Sequence, residues 1–390
     1  MAQKETMTSR ERMKMALNHQ EPDRIPIDLG GNQTGIHRQA YCDLIKHLGI
    51  KDDKVEIMDC VQQLVRPSEE LLQRFNVDTR YVATGCAGDF KFEIIKNQRD
   101  GRLWHDFTDE FGITWSMPDD QQLYMDISHH PLADAEIDEI NDYPFPDGGD
   151  AGRFAGLRER ALEIKNNTPY SVVSGISGVV YETCWYMRGL ENWMIDMVAQ
   201  PEFCEALIDR TMKYWLDYFK VFCKEVGDVV DVIMIGDDLA GQSGPLFNPE
   251  FYRRVVKPRQ QLVARYIRDN SDAALWYHTC GNCTEYIPDL IENGVNILNP
   301  VQLSADNMDA AVLKSKFGKD IVFWGGGCDS QHILPFSSPK QVCENVRANV
   351  EALKPGGGYV FNNIHNIQAF VPPVNIEAMY EAAYDYGWYC

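Results

Sequence analysis

His278 and Cys280 are the two residues of this chain whose types and spacing point most directly to chemistry. They stand two apart at the end of the apolar run Ala273–Thr279. Side chains at that spacing on a strand leave the same face, so an imidazole and a thiolate can converge on one ion. Cys328, just after the run Asp320–Gly325, would bring a second sulfur. Histidine and two cysteines with one open position form a ligand set expected of catalytic zinc. The bland alternative is a buried histidine packed beside a buried cysteine. Cys283 is close by but falls in a helix entry, which makes it a spare.

Other polar residues follow apolar runs in the same way. Asn32 follows Arg24–Leu29, Asp237 and Asp238 follow Asp231–Gly236, Gln302 follows Asn296–Pro300, and Asn362 and His365 close the run Gly358–Asn363. Asp237 and Asp238 could orient a ligand, act as a base or complete a metal shell, or else cap the following segment. His365 could donate a proton, touch the substrate or replace a metal ligand. Arg80 could pair with an anionic substrate group, or with a core acid such as Asp78. Asn32, Gln302 and Asn362 are candidate substrate contacts. Tyr181, Trp185 and Trp324 could line a flat pocket, against a default of core packing.

These residues need a scaffold that gathers strand ends. Eight short strand-like runs are predicted: Arg24–Leu29, Asn76–Val82, Tyr170–Ile176, Asp231–Gly236, Ala273–Thr279, Asn296–Pro300, Asp320–Gly325 and Gly358–Asn363. Amphipathic helical patterns separate most of them, at Pro201–Val226, Asn248–Asn270, Thr284–Asn293, Pro339–Leu353 and Asn375–Tyr386. Eight β-then-α units predict a parallel sheet closed as a (β/α)8 barrel, a TIM barrel, with catalytic groups at the carboxyl ends of its strands. An open doubly wound sheet is the alternative. The stretch 83–168 is too long for a crossover and reads as an insertion folding over the barrel mouth as a lid, within a single domain spanning 1–390.

Composition narrows the function classes. The 390 residues carry a net charge of −21, with 58 acidic against 37 basic side chains. Such a surface repels nucleic acid phosphate and argues against a polycarboxylate substrate. Eleven cysteines without framework spacing read as reduced thiols. With no apolar leader-like segment at the amino end and no run long enough to span a membrane, the expectation is a cytoplasmic protein. A phosphate-binding G-x-x-x-x-G-K-[ST] loop, a G-x-S-x-G elbow and the dinucleotide fingerprint are all missing.

The segments PDRIPIDLGG, DTRY, DEFGITW, HHPLADAE, GDDLAGQSGPLFNPEFYRRVVKP, HTCGNCTEYIPDLIENGVNILNPVQ and GGGYVFNNIHNIQAFVPPVNIEAMYEA resemble the uroporphyrinogen decarboxylase superfamily. They are most similar to its methyltransferase branch, which works with corrinoid proteins in anaerobic one-carbon metabolism. The resemblance spans nearly the whole chain and implies a (β/α)8 barrel, paired as a homodimer, with zinc at the H-x-C of strand five. True decarboxylases of the superfamily carry an Arg-rich R-Q-A-G-R loop after strand one, where this chain has LGGNQTG. Thiol-methylating members place a second cysteine after strand eight, where this chain has Asn362, Asn363 and His365. The resemblance therefore implies methyl transfer from a small methylated donor, favoured as a methoxylated aromatic (O-demethylation), to the cobalt of a cobalamin. The chain has no D-x-H-x-x-G cobalamin signature, so that corrinoid would arrive on a separate protein. The alternatives are transfer from a methylcorrinoid to a thiol or folate, and decarboxylation with Asp238 stabilising a protonated intermediate.

Overall fold

The computed structural model describes residues 5–389. Seven parallel strands form one curled sheet in the order Thr79–Tyr81, Ser171–Gly175, Val232–Gly236, Ala274–His278, Ile297–Asn299, Val322–Trp324 and Tyr359–Val360. Residues 26–28 close it into a barrel. Asp28 N–H donates to the Phe361 carbonyl and Phe361 N–H to that of Pro26, while on the other side Asp78 N–H donates to the Ile27 carbonyl. This first stave makes only one bridge to its neighbour, Ile27 to Phe361. Pro26 has no N–H to extend the ladder there. The remaining predicted strands are present but shorter at their ends.

Alternation along the staves fills the barrel. Val173, Val232, Met234, Trp276, Val322, Trp324 and Val360 point inward and pack with Met13 and Ala16 from the first helix. Trp276 and Trp324 meet at 4.6 Å between ring centroids and seal the interior. Leu275, Tyr277 and Phe323, one residue out of step, face the outer helices. His278, two beyond Trp276, therefore sits on the inner face directly above the tryptophan layer.

The closure is electrostatic as well as apolar. Asp78 is fully buried and accepts from Arg12 Nη1 at 2.7 Å, Arg24 Nη1 at 2.7 Å and Ile27 N–H at 2.8 Å. Asp78 thus lies at the amino-terminal end of the barrel, not at the rim with the candidate site residues.

Predicted helices Pro201–Val226 and Pro339–Leu353 have those bounds, the second opened by a capping box between Ser338 and Gln341. The segment predicted as one helix over 248–270 is divided by a π-turn at Tyr252–Val256. Two further helices, Glu182–Arg188 and Leu190–Ala199, follow the third stave. Within 83–168, four antiparallel strands (Ile94–Arg99, Arg102–Thr108, Thr114–Pro118, Asp126–His129) form a separate sheet, and Leu157–Asn167 is an ordinary barrel helix. No helix among the described residues is long and apolar enough to cross a membrane.

Removing the Asp78 carboxylate takes away the one fully buried acid shared by Arg12 and Arg24, leaving them only Asp23 and the more exposed Glu5. Asp78→Ala is expected to lower unfolding stability by about 3–5 kcal/mol, measured by denaturant titration.

Candidate metal and active site

At the end of the fifth stave, His278 is oriented by a hydrogen-bond relay. Asn299, beside it on the sixth stave, donates Nδ2–H to the Trp324 carbonyl at 2.9 Å, which turns Oδ1 toward His278 Nδ1 at 2.6 Å. That oxygen can only accept, so Nδ1 carries the proton and Nε2 offers its lone pair. Burial depresses the imidazole to about 4, against the opposing Asn299 bond. It is a neutral nitrogen ligand with its tautomer fixed.

Cys280 is placed by the loop beyond the strand. Its N–H donates to Asp238 Oδ1 at 2.7 Å, Gly281 N–H to Gln302 Oε1 at 2.8 Å, and Leu239 N–H to Thr279 Oγ1 at 3.0 Å. Gly281 has φ +79° and lies against the Gly241 carbonyl, where a Cβ would collide. The result is a Cys280 Sγ to His278 Nε2 separation of 3.5 Å. Tetrahedral zinc with legs of about 2.05 and 2.3 Å spans about 3.5 Å between nitrogen and sulfur.

The surroundings favour a cation. Burial first, then the charges of Asp238 and Glu182, push the Cys280 thiol well up. Burial and the neighbouring Asp238 and Asp237 do the same to Glu182, and burial raises Asp238. Three acidic groups are thus crowded where their ionised forms are poorly solvated, and a divalent ion relieves that cost. The donor set fits zinc.

The third ligand expected from sequence is corrected. Cys328 is fully buried in the apolar core, and the nucleus of facing donors is His278, Cys280 and His365, whose ligand atoms lie within 4.8 Å of one another. After Trp324 the chain turns through Gly325 and Gly326, at φ +123° and +65°, and carries Cys328 into the packing beneath the rim. His365 has its own constraint: Asn366 N–H donates to its Nδ1 at 2.8 Å. A neutral His365 therefore carries its proton on Nε2 and acts as a donor. Asp238 Oδ1 stands 3.9 Å from His278 Nε2 and offers the nearest oxygen ligand.

A cavity of about 670 Å³ opens over this group. Asp238, His278, His365 and Asn32 line it, as do Trp115, Tyr124 and Asp126 of the inserted sheet region. Sequence reasoning missed Glu182, which lines the cavity with Trp185 and Tyr186 from the short helix it opens. The only local signal was an acid at a helix start.

Several expected contacts lie elsewhere. Asp237 accepts N–H bonds from Val180, Tyr181 and Glu182 and one from Gln260, so it holds the start of that helix in place. Arg80, outward by strand alternation, pairs with Glu69 and stacks 3.5 Å over Tyr170. Tyr181 is buried against Phe247 at 4.5 Å, and Trp324 fills the barrel. Gln302 supports Gly281, and Asn362 donates to the Asp28 carbonyl at 3.0 Å. Each is a positioning or packing residue and does not line the cavity.

A closed (β/α)8 barrel with a buried imidazole–thiol pair at its strand ends is the class that fold and site define. The family model for uroporphyrinogen decarboxylase (URO-D) matches residues 108–386, and the chain belongs to that family. Among solved structures it is similar to a methyltransferase from Methanosarcina mazei, at 17% identity and TM-score 0.64, over 97% of this chain and 99% of that one. It also aligns with a hyperthermophilic β-glucosidase from Pyrococcus furiosus at 9% identity, TM-score 0.41, covering 80% and 82% of the two chains, a likeness too slight to carry an argument. Comparison with curated proteins gives no match.

Asn299→Ala would release the His278 ring and its tautomer. Zinc affinity, read by competition with a chromogenic chelator, is expected to fall about 10–100-fold while the fold is retained.

Proposed function

We propose that this protein is a methyltransferase that moves a methyl group from a small methylated donor to the cobalt of a corrinoid carried by a separate protein. The observation that supports it best is the 3.5 Å His278 Nε2 to Cys280 Sγ separation, with the imidazole tautomer already set for metal binding. His278 and Cys280 would hold zinc, with Asp238 the nearest further ligand. Zinc, when bound, supplies a Lewis acid for the heteroatom that gives up the methyl group.

The chain's own residues do the rest. The methyl–heteroatom bond breaks with its electron pair remaining on the heteroatom, and charge that develops there needs a donor. His365 Nε2–H faces the same space and supplies one. The Glu182 carboxyl, pushed well up by burial and by Asp238 and Asp237, accepts the Tyr186 hydroxyl at 3.1 Å and can offer a second proton to the cavity. Trp115, Trp185 and Tyr186 would give the methyl group apolar ring surface to rest on.

Decarboxylation of an acidic pyrrole is the weaker reading, because no lysine or arginine lines the cavity to hold carboxylates. The same feature bears on the donor. Aromatic walls suit a methoxylated ring, whereas a methoxybenzoate would bring its carboxylate against Asp59, Asp126, Glu182 and Asp238.

Metal analysis of the purified protein is expected to find about one zinc per chain, lost in His278→Ala and Cys280→Ala and retained in Cys328→Ser. Methyl transfer to cob(I)alamin, followed by its absorbance, should disappear with the metal. A protein that transfers methyl groups at full rate without metal would refute the proposal.

A further inference from the structure

We infer that the cavity selects a donor bearing a cationic, methylated nitrogen: a quaternary ammonium or a protonated methylamine. This rests on the methyl-transfer reading for its name as a donor, but the recognition itself follows from the cavity walls.

Four carboxyl side chains line the space, Asp59, Asp126, Glu182 and Asp238, and no lysine or arginine does. Zinc held by His278 and Cys280 would have its charge offset by the Cys280 thiolate and by Asp238, 3.9 Å from His278 Nε2. His130 donates its Nδ1 proton to the Tyr186 carbonyl at 2.7 Å. Asp59 and Asp126, with no lysine or arginine in the lining to offset them, repel anions and concentrate cations.

The second feature is aromatic. Trp115 and Tyr186 meet at 5.4 Å with planes 72° apart, and Trp185 and Tyr186 at 4.2 Å with planes 68° apart. Near-perpendicular rings form the corner that surrounds a methylated ammonium with π faces. Among the described residues, every arginine or lysine stacked on a ring is elsewhere, so these three rings have no cation of their own. Trp115 is fixed from behind, its Nε1–H donating to Asp109 at 2.9 Å. A neutral ether would use the walls but not the acids, and a benzoate would use the walls against the acids.

Cation chemistry also balances the reaction. When the C–N bond of a methylated ammonium breaks, the methyl group leaves without the electron pair. That pair stays on nitrogen as the lone pair of a neutral amine, which zinc at His278 and Cys280 would be free to accept only as the bond breaks, so no anion develops beside Asp59 and Asp126.

The test is binding to the full-length protein without any corrinoid partner, by calorimetry or tryptophan fluorescence. Probes are choline, its uncharged carbon isostere 3,3-dimethylbutan-1-ol, 4-methoxyphenol and 4-methoxybenzoate. Choline is expected to bind at least about tenfold tighter than the isostere, with 4-methoxybenzoate weakest and the preference shrinking as salt rises. Asp126→Asn, at an exposed position that leaves folding intact, should weaken choline several-fold and leave the isostere unchanged. Equal affinity for choline and the isostere, or tighter binding of either methoxy compound, would overturn the inference. Those methoxy outcomes would leave methyl transfer standing. Tight choline binding with no transfer to cob(I)alamin from any methylated ammonium would instead sink the methyl-transfer reading.

Discussion

A carboxylate buried between two guanidinium groups is costly unless all three are held in register, and Asp78 imposes that register on the barrel. It joins Arg12 of the first helix, Arg24 at the start of the first stave and the backbone of Ile27. The first stave has a proline where a ladder donor should be and makes a single bridge to the last stave. Its position is therefore set from below, by charge, as much as by sheet hydrogen bonds. Once it is set, the sheet is closed, and the eight strand ends face one another across a common mouth. Every distance in the candidate site presupposes that closure.

Above it, the site is assembled by constraints on hydrogen atoms. Two histidines lie 5.3 Å apart between ring centroids and are neutral, yet their protons are on opposite nitrogens. Asn299 keeps the His278 proton on Nδ1 and frees Nε2, whereas the Asn366 amide occupies Nδ1 of His365 and leaves the proton on Nε2. One ring can accept a metal and its neighbour can donate a proton. The division of labour comes from second partners that touch neither metal nor donor.

The strand-five pair was legible because period-two geometry needs no tertiary information: His278 and Cys280 had to share a face if that run was a strand. The barrel was legible for a similar reason, since eight alternating units have few ways to close. Cys328 shows where such reasoning stops. Its distance along the chain from Trp324 said nothing of the glycine turn that carries it inward. Arg80 failed on a single residue of phase, and Asp237 on what its oxygens find. Four donors converge on it from other segments, and no local pattern announces them. Glu182 could not be seen because its helix lies after a loop whose path only the folded barrel defines.

The tryptophan layer has a consequence for the order of events. Trp276 and Trp324 stop the barrel just beneath His278, so a molecule in the cavity has no exit through the opposite end. Entry and departure share one doorway. Any macromolecule that must approach the same doorway to collect a group from the bound molecule also bars it while docked. The small reactant then has to be seated before its large partner arrives, and the spent remnant must wait for the partner to withdraw. The sequence of binding and release is thereby written into a pair of indole rings that take no part in the chemistry.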